Sequence, residues 1–224
     1  MRVLGLDACR KGWAGVLLDD DGATEGVFLD DLHAVEALDV AGVGIDIPIG
    51  LASDRTRAAD TLARQVLGPR RASVFMTPVR AAFDAPDHAT ASEVNREATG
   101  KGISVQAWGL RTKVLAADAW SRTTRHHHWE VHPEVAFTLL RAEVPCAHPK
   151  TTWAGQQERR RALADAGIHL DDVGEVGALA AADDVLDAAA VAWSTRRLVR
   201  CEGRSWPDPP EHYAGWPHPV AIFA

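Results

Sequence analysis

The chain opens on an apolar run that ends in an acid. Val3, Leu4 and Leu6 form a stretch of strand length, Asp7 closes it, and the small or polar Ala8, Cys9, Arg10, Lys11 and Gly12 follow. A strand covered on both faces reads as a near-continuous apolar run, so the pattern predicts a buried central strand delivering Asp7 to a sheet edge, where ligands usually bind. An aspartate that only caps the next turn is the plainer alternative. Gly12 to Leu18 predicts a second strand, Asp19-Asp20-Asp21-Gly22 a hairpin turn, and Thr24 to Leu29 a third strand, since Asp-Gly supplies the positive φ that such turns need. These three make an antiparallel meander. Asp30 or Asp31 then caps a short helix through Leu32, Val35 and Leu38. Val43-Gly-Ile-Asp-Ile-Pro48 is a fourth strand, stopped by its proline. It repeats the first, with apolar residues leading to Asp46. Strands joined through a helical crossover lie side by side with their ends together, which makes Asp7 and Asp46 expected neighbours.

From Ser53 to about Arg125 the periodicity turns helical and predicts an insertion of helices between sheet strands. Arg57 to Leu67 has one apolar face and ends at Gly68-Pro69. Ser73 to Arg80 reads as irregular loop, Ser92 to Ala98 as a short helix, and Ser104 to Trp120 as a longer one that packs through Val105, Trp108, Val114, Leu115 and Ala119. Trp129 and Val131 then alternate with Glu130 and His132, predicting a short strand with Glu130 and His132 on one face until Pro133 stops it. Val135 to Arg141 resumes a helix. Gln156 to Ala166 is a polar helix whose Arg159, Arg160 and Arg161 read as a solvated face, closed by Gly167. Asp183 or Asp184 caps a last helix running to about Arg200. Asp184 and Asp187 share a face in its first turn, where the helix dipole favours anions, and the alanines behind them permit close approach to a sheet. The segment from about 203 to 224 is proline-rich and reads as an extended tail, with Trp206, Tyr213 and Trp216 as anchors on this surface or on the partner subunit of a homo-oligomer.

Composition narrows the picture. A chain of 224 residues that is 46% hydrophobic and 25% charged suits one domain, spanning 1–224, with a helical insertion at about 53–125. Cys9, Cys146 and Cys201 are odd in number and far apart, which points to neither a disulfide framework nor a cysteine zinc site and fits a reducing cytoplasm. No apolar stretch approaches the length of a membrane span, and the N-terminus lacks the pattern of a signal peptide. The formal net charge of −7 argues against a broad basic surface that coats duplex nucleic acid. A local patch is a different matter: Arg55, Arg57, Arg64, Arg70, Arg71 and Arg80 fall within a window that holds Asp60 as their opposing acid, and guanidinium geometry suits phosphate. The run His126-His127-His128 invites a metal reading, but adjacent residues on an extended chain point to opposite sides and do not converge.

The acids carry the chemistry. Asp7, Asp46, Glu130, Asp184 and Asp187 stand at strand ends or a helix start, and their convergence would be strongly repulsive unless a cation sat among them or some stayed protonated. Hard oxygen donors without cysteine favour Mg²⁺ or Mn²⁺. Two such ions roughly 3.5–4 Å apart activate a water and stabilise a leaving oxygen in phosphodiester hydrolysis. Ordinary helix capping by Asp184 and Asp187 is the alternative for that pair.

Several motifs taken in order carry a family resemblance. Gly5-Leu-Asp7 with Gly12-Trp13-Ala14, Asp46-Ile-Pro48-Ile-Gly50, Arg57-Ala-Ala-Asp60 with Arg64, Ser73-Val-Phe75 with Pro78 and Arg80, Ser104-Val-Gln106, Glu130-Val-His-Pro-Glu134-Val-Ala-Phe137, and Asp184-Val-Leu-Asp187-Ala188 together resemble the family catalogued as domain of unknown function 429, described as predicted RNase H-like nucleases. The resemblance implies an α/β RNase H-like fold: a mixed five-stranded sheet flanked by helices, its first three strands antiparallel, with a helical insertion. It also implies an acidic site built from the first strand, the fourth strand and the last helix. On that basis Asp7 and Asp46 are metal ligands, Asp187 or Asp184 is the ligand from the helix, Mg or Mn is the cofactor, and a nucleic acid or nucleotide phosphate ester is the substrate. The Asp184-x-x-Asp187 spacing is similar to that of Holliday-junction resolvases. The RNase H pattern places a further acid on the first helix, where this chain offers Glu36, outside any matching motif. His132 and Glu134 are candidates for proton shuttling or for positioning, against a strand-to-helix junction held by hydrogen bonds. Two competing classes are an actin-like phosphotransferase, which should contain two copies of the sheet unit, and a non-catalytic protein that binds an anionic ligand or nucleic acid on the same frame.

Overall fold

The computed structural model describes all 224 residues. In chain order the elements are β1 (Arg2–Ala8), β2 (Trp13–Asp19), β3 (Thr24–Leu29), a 3-10 turn (Leu32–Ala37), β4 (Val43–Asp46), α1 (Ala58–Leu67), a second 3-10 turn (Gly68–Ser73), α2 (Arg80–Phe83), α3 (His88–Thr99), α4 (Val105–Gly109) and α5 (Arg111–Ser121). There follow β5 (His128–Glu130), α6 (Pro133–Leu140), α7 (Trp153–Asp165), α8 (Val176–Leu179), α9 (Ala182–Val199), β6 (Ser205–Glu211) and β7 (Val220–Phe223). No helix is long and apolar enough to cross a membrane.

The chain divides into two compact units. The first comprises 1–47, 124–204 and 223–224, and the second 48–123 and 205–222. The first unit contains a mixed five-stranded sheet in the order β3-β2-β1-β4-β5. β1, β2 and β3 pair antiparallel, as the Asp-Gly turn requires, and Gly22 takes a φ of 90° in that turn. β4 and β5 run parallel to β1 and to each other. This is the α/β mixed sheet flanked by helices that the motif pattern implies. The central position of β1 explains its unbroken apolar run, because Val3, Leu4 and Leu6 are fully buried.

Helix α9 sits directly on this sheet. Gly5 and Gly44 are register partners on β1 and β4. A Cβ added at Gly5 would lie 2.2 Å from both the Ala188 carbonyl oxygen and the Ala192 nitrogen, and one at Gly44 2.1 Å from Thr195 Oγ1. The helix answers with small residues: Ala188, Ala189, Ala190 and Ala192 are fully buried and pack with Val3, Val16, Leu18, Phe137 and Leu163 in one core.

Several elements depart from the sequence pattern for physical reasons. The helix expected over Ser104 to Trp120 is two helices, broken at Gly109–Leu110, and Val105, expected to pack, is exposed. α3 begins at His88 rather than Ser92, because Asp87 accepts the Thr90 N–H at 2.9 Å and caps it earlier. The extended tail contains two strands: β6 pairs with β7 in a two-stranded sheet, where the prolines of β6 cost few ladder bonds. In α7 the arginine triplet is not uniformly solvated, since Arg159 is fully buried.

Backbone lies on both sides of the Gly5 contact, so no side-chain rotation relieves a clash there. Gly5→Ala is expected to cost about 3 kcal/mol or more in urea unfolding. A loss below about 1 kcal/mol would show that α9 has slack against the sheet.

Candidate functional site

Adjacent parallel strands bring their acids together. Asp7 near the end of β1 and Asp46 at the end of β4 are register partners, and therefore point to the same face. That face is the one covered by α9, because Gly5 and Gly44, two residues earlier on each strand, meet α9 directly. Asp187, in the second turn of α9, is carried over the strand ends. One carboxylate oxygen from each of Asp7, Asp46 and Asp187 lies within 4.8 Å of the other two. Asp7 and Asp187 are buried and Asp46 is half-buried. Asp187 Oδ1 is buried without a hydrogen-bond partner.

The electrostatics follow from that crowding. Burial, then the charges of Asp46 and Asp187, push the Asp7 carboxyl well above the usual carboxylate range. Burial likewise raises Asp46, against the opposing influence of His132, Lys150 and a hydrogen bond with Asp7. Asp187 is pushed up to about 7, again chiefly by burial, although Lys150 holds it down. Asp184, half-buried at the rim, is raised by burial and accepts the Ala181 N–H at 3.2 Å. Lys150 Nζ donates to Asp187 Oδ2 at 2.5 Å and lies 3.9 Å from Asp183 Oδ2. Burial alone would lower the lysine, but the charges of Asp187 and Asp7 and the hydrogen bond to Asp187 outweigh it and keep the ammonium charged.

Behind the acids stands a buried ion pair. Arg159 Nη2 donates to Glu134 Oε1, while Nη1 donates to the carbonyls of His148 at 3.1 Å and Gly155 at 3.0 Å. Its guanidinium carbon lies 5.3 Å from the centre of the Phe137 ring. His132 caps α6, accepting the Glu134 N–H at Nδ1.

The other residues singled out by sequence are placed elsewhere. Glu130 pairs in register with Ile45, one residue before Asp46, and so lies on the opposite face of the sheet from Asp7 and Asp46. Glu36 accepts from Thr124 Oγ1 at 2.5 Å and neighbours Arg125. The candidate arginines from Arg55 to Arg80 belong to the second unit and have partners there. Buried Arg57 lies 3.7 Å from Asp60, Arg64 donates to the Val74 carbonyl at 2.6 Å, and Arg80 to Asp118 at 2.5 Å. Arg70 is half-buried and Arg71 exposed. The histidine run forms no ligand group: His126 faces Glu36, His127 stacks on Trp129, and His128 Nδ1 contacts the His126 carbonyl.

Sequence reasoning missed Lys150 and the buried role of Arg159. A signal for the first existed, because the chain uses arginine almost throughout and lysine stands only at Lys11, Lys101, Lys113 and Lys150. Arg159 had none, since its neighbours Arg160 and Arg161 share its chemistry and its burial is set by α6 and the loop before α7.

The model of a protein family described as of unknown function, DUF429, matches residues 5–212, and the chain belongs to that family. No curated protein and no solved structure matches it.

Two stability outcomes follow from the site. Asp7→Asn removes one of three crowded buried carboxyls and is expected to stabilise the chain in chelator at neutral pH by about 1 kcal/mol or more, roughly 2–4 °C for a chain of this size. Because the folded-state pKa of Asp187 lies above its unfolded value, the folded chain binds the extra proton between about pH 4 and about 7. Stability in chelator is therefore highest at the acid end of that window and declines as pH rises through it. Thermal melts across the window check the slope, which is expected to be shallower in Asp7→Asn. In the ion pair behind the acids, Arg159→Met alone is expected to cost about 3–5 kcal/mol, and adding Glu134→Gln to restore part of it, as read by a double-mutant cycle.

Proposed function

We propose that this member of the DUF429 family is a divalent-metal-dependent phosphodiester hydrolase of RNase H-like type, acting on nucleic acid or a related nucleotide phosphate ester. The observation that carries the reading is the convergence of Asp7, Asp46 and Asp187 within 4.8 Å. The donors fit the ion. All three are hard carboxylate oxygens without thiolate or imidazole among them, which suits Mg²⁺ or Mn²⁺. The buried, unpartnered Asp187 Oδ1 is the kind of group such an ion would satisfy.

When bound, a divalent ion supplies Lewis acidity toward a phosphate oxygen and lowers the pKa of a water it holds. The chain's own groups supply the frame. Asp7, Asp46 and Asp187 would hold the ion, and their burial excludes bulk water and strengthens every charge interaction there. Asp184 stabilises the start of α9 through the Ala181 N–H. His132 accepts the Glu134 N–H at Nδ1, which orients its ring at the start of α6. Glu134 is paired with Arg159, and its charge adds to the crowding that raises Asp46 and Asp187.

An actin-like phosphotransferase is less well supported, because that architecture repeats the sheet unit and this chain has one five-stranded and one two-stranded sheet. Ion binding without cleavage of any phosphate ester would instead indicate a binding protein.

Calorimetric titration with Mn²⁺ at several pH values tests the reading. Carboxylates must lose their protons to ligate, and Asp7 and Asp187 both titrate high. Affinity is therefore expected to rise as pH climbs through about 7, with protons released into the buffer. Nucleic-acid cleavage should require the ion and disappear in Asp46→Asn. A wild-type protein that binds no Mn²⁺ at millimolar concentration sinks the assignment.

A further inference from the structure

We propose that Lys150 is the second cation of this site: the acids hold one divalent ion, and the lysine ammonium stands where a two-ion site would place another, ready to take a phosphate oxygen. The inference rests on the hydrolase reading and narrows it.

Three observations carry it. First, Asp187 is divided between two uses. Its Oδ2 accepts from Lys150 Nζ at 2.5 Å, while its Oδ1 is buried and unpartnered. A carboxylate with one oxygen on a cation and the other open is what a residue bridging two cations presents. Second, a ligand for another ion is missing. Glu130 lies on the opposite face of the sheet, Glu36 is engaged by Thr124, and Asp184 Oδ2 accepts the Ala181 N–H. An ammonium and one divalent ion together carry three positive charges, which match the three converged carboxylates.

Third, Lys150 is held in place from both sides. On the preceding loop, Arg141 Nη1 donates to the Pro145 carbonyl at 2.7 Å. Glu158 accepts the Ala147 and His148 N–H groups at 2.9 and 3.1 Å, and Arg159 donates to the His148 carbonyl at 3.1 Å. On the following side, Thr152 Oγ1 donates to the Pro149 carbonyl at 2.8 Å. α7 presses on that same carbonyl, since a Cβ at Gly155 would lie 1.9 Å from it. A surface lysine that merely leans toward acids needs no such loop; one that must present a charge at a fixed point does.

The test uses the full chain with Mn²⁺ alone and then with inorganic phosphate, in wild type, Lys150→Met, Lys150→Arg and Asp7→Asn, with melting curves as the folding control. Wild type is expected to bind one Mn²⁺. Lys150→Met should bind that ion about tenfold more tightly, because a like charge has gone, and bind phosphate to the loaded protein about tenfold more weakly, because the anion's partner has gone. Lys150→Arg should keep phosphate binding near the wild-type level. The opposite signs in Lys150→Met are the signature. A lysine that only fills the site and leaves when the ion enters would tighten Mn²⁺ and leave phosphate unaffected, which overturns the proposal. So does a wild-type stoichiometry of two, or no change in Mn²⁺ affinity in Lys150→Met. If one ion binds, Asp7→Asn abolishes it and the lysine variants behave like wild type, this inference alone falls. If no variant binds Mn²⁺, the hydrolase reading falls with it.

Discussion

The closeness of α9 to the sheet is the constraint from which the rest follows. Helix and strands approach until no side chain larger than hydrogen fits at two neighbouring positions: Gly5 meets the backbone of Ala188 and Ala192, and Gly44 meets the side chains of Thr195 and Val191. A normal helix-on-sheet spacing leaves room for a layer of side chains. Here that layer is removed over the middle of β1 and β4, so the start of α9 descends onto the strand ends. Asp187 reaches Asp7 and Asp46 because of it. The cluster is thus chiefly a product of packing between small residues, since burial and like charge among the acids oppose it.

Burying carboxylates in this way opposes folding, and the surroundings show how the opposition is contained. Lys150 offsets part of the negative charge, and Arg159 pairs with Glu134 one layer further back. The same arginine holds the His148 carbonyl, two residues before the lysine. The two cations are therefore mechanically linked: a change in α7 that shifts Arg159 moves the loop that aims Lys150. Buried ion pairs contribute modestly to net stability but are costly to break, which suits a role in fixing geometry.

Much of this was legible in the sequence and some was not, for distinguishable reasons. β1 and β4 were visible as apolar runs ending in acids, because a doubly covered strand has no polar alternation to obscure it. The hairpin was visible from Asp21-Gly22, whose backbone demand is local. Asp187 was visible as a candidate, yet its spacing from Asp184 could not say which of the two faces the strands; rotation of α9 about its axis decides that, and the glycines set the rotation. Glu130 was misplaced by a single position: Ile45 faces one way and Asp46 the other, and register with β4 puts Glu130 with the isoleucine. Period-two alternation identifies which residues share a face but not which face is the site. The arginines between positions 57 and 80 looked poorly opposed because Asp60, beside Arg57, is the acid inside the window, whereas Arg80 finds Asp118 outside it and Arg64 a main-chain carbonyl that composition does not show.

The order of these parts along the chain has a consequence for how the protein is made. Asp7 and Asp46 leave the ribosome before the helix that covers them, which begins about 140 residues after Asp46. At synthesis rates of ~5–20 residues per second, that interval is roughly 7–28 s. During it the strands can pair, but the acids remain hydrated and the glycine strip on β1 and β4 faces solvent without its lid. The costly burial is deferred to the arrival of one alanine-rich helix, so the nascent chain never has to desolvate two aspartates before the segment that orders them exists.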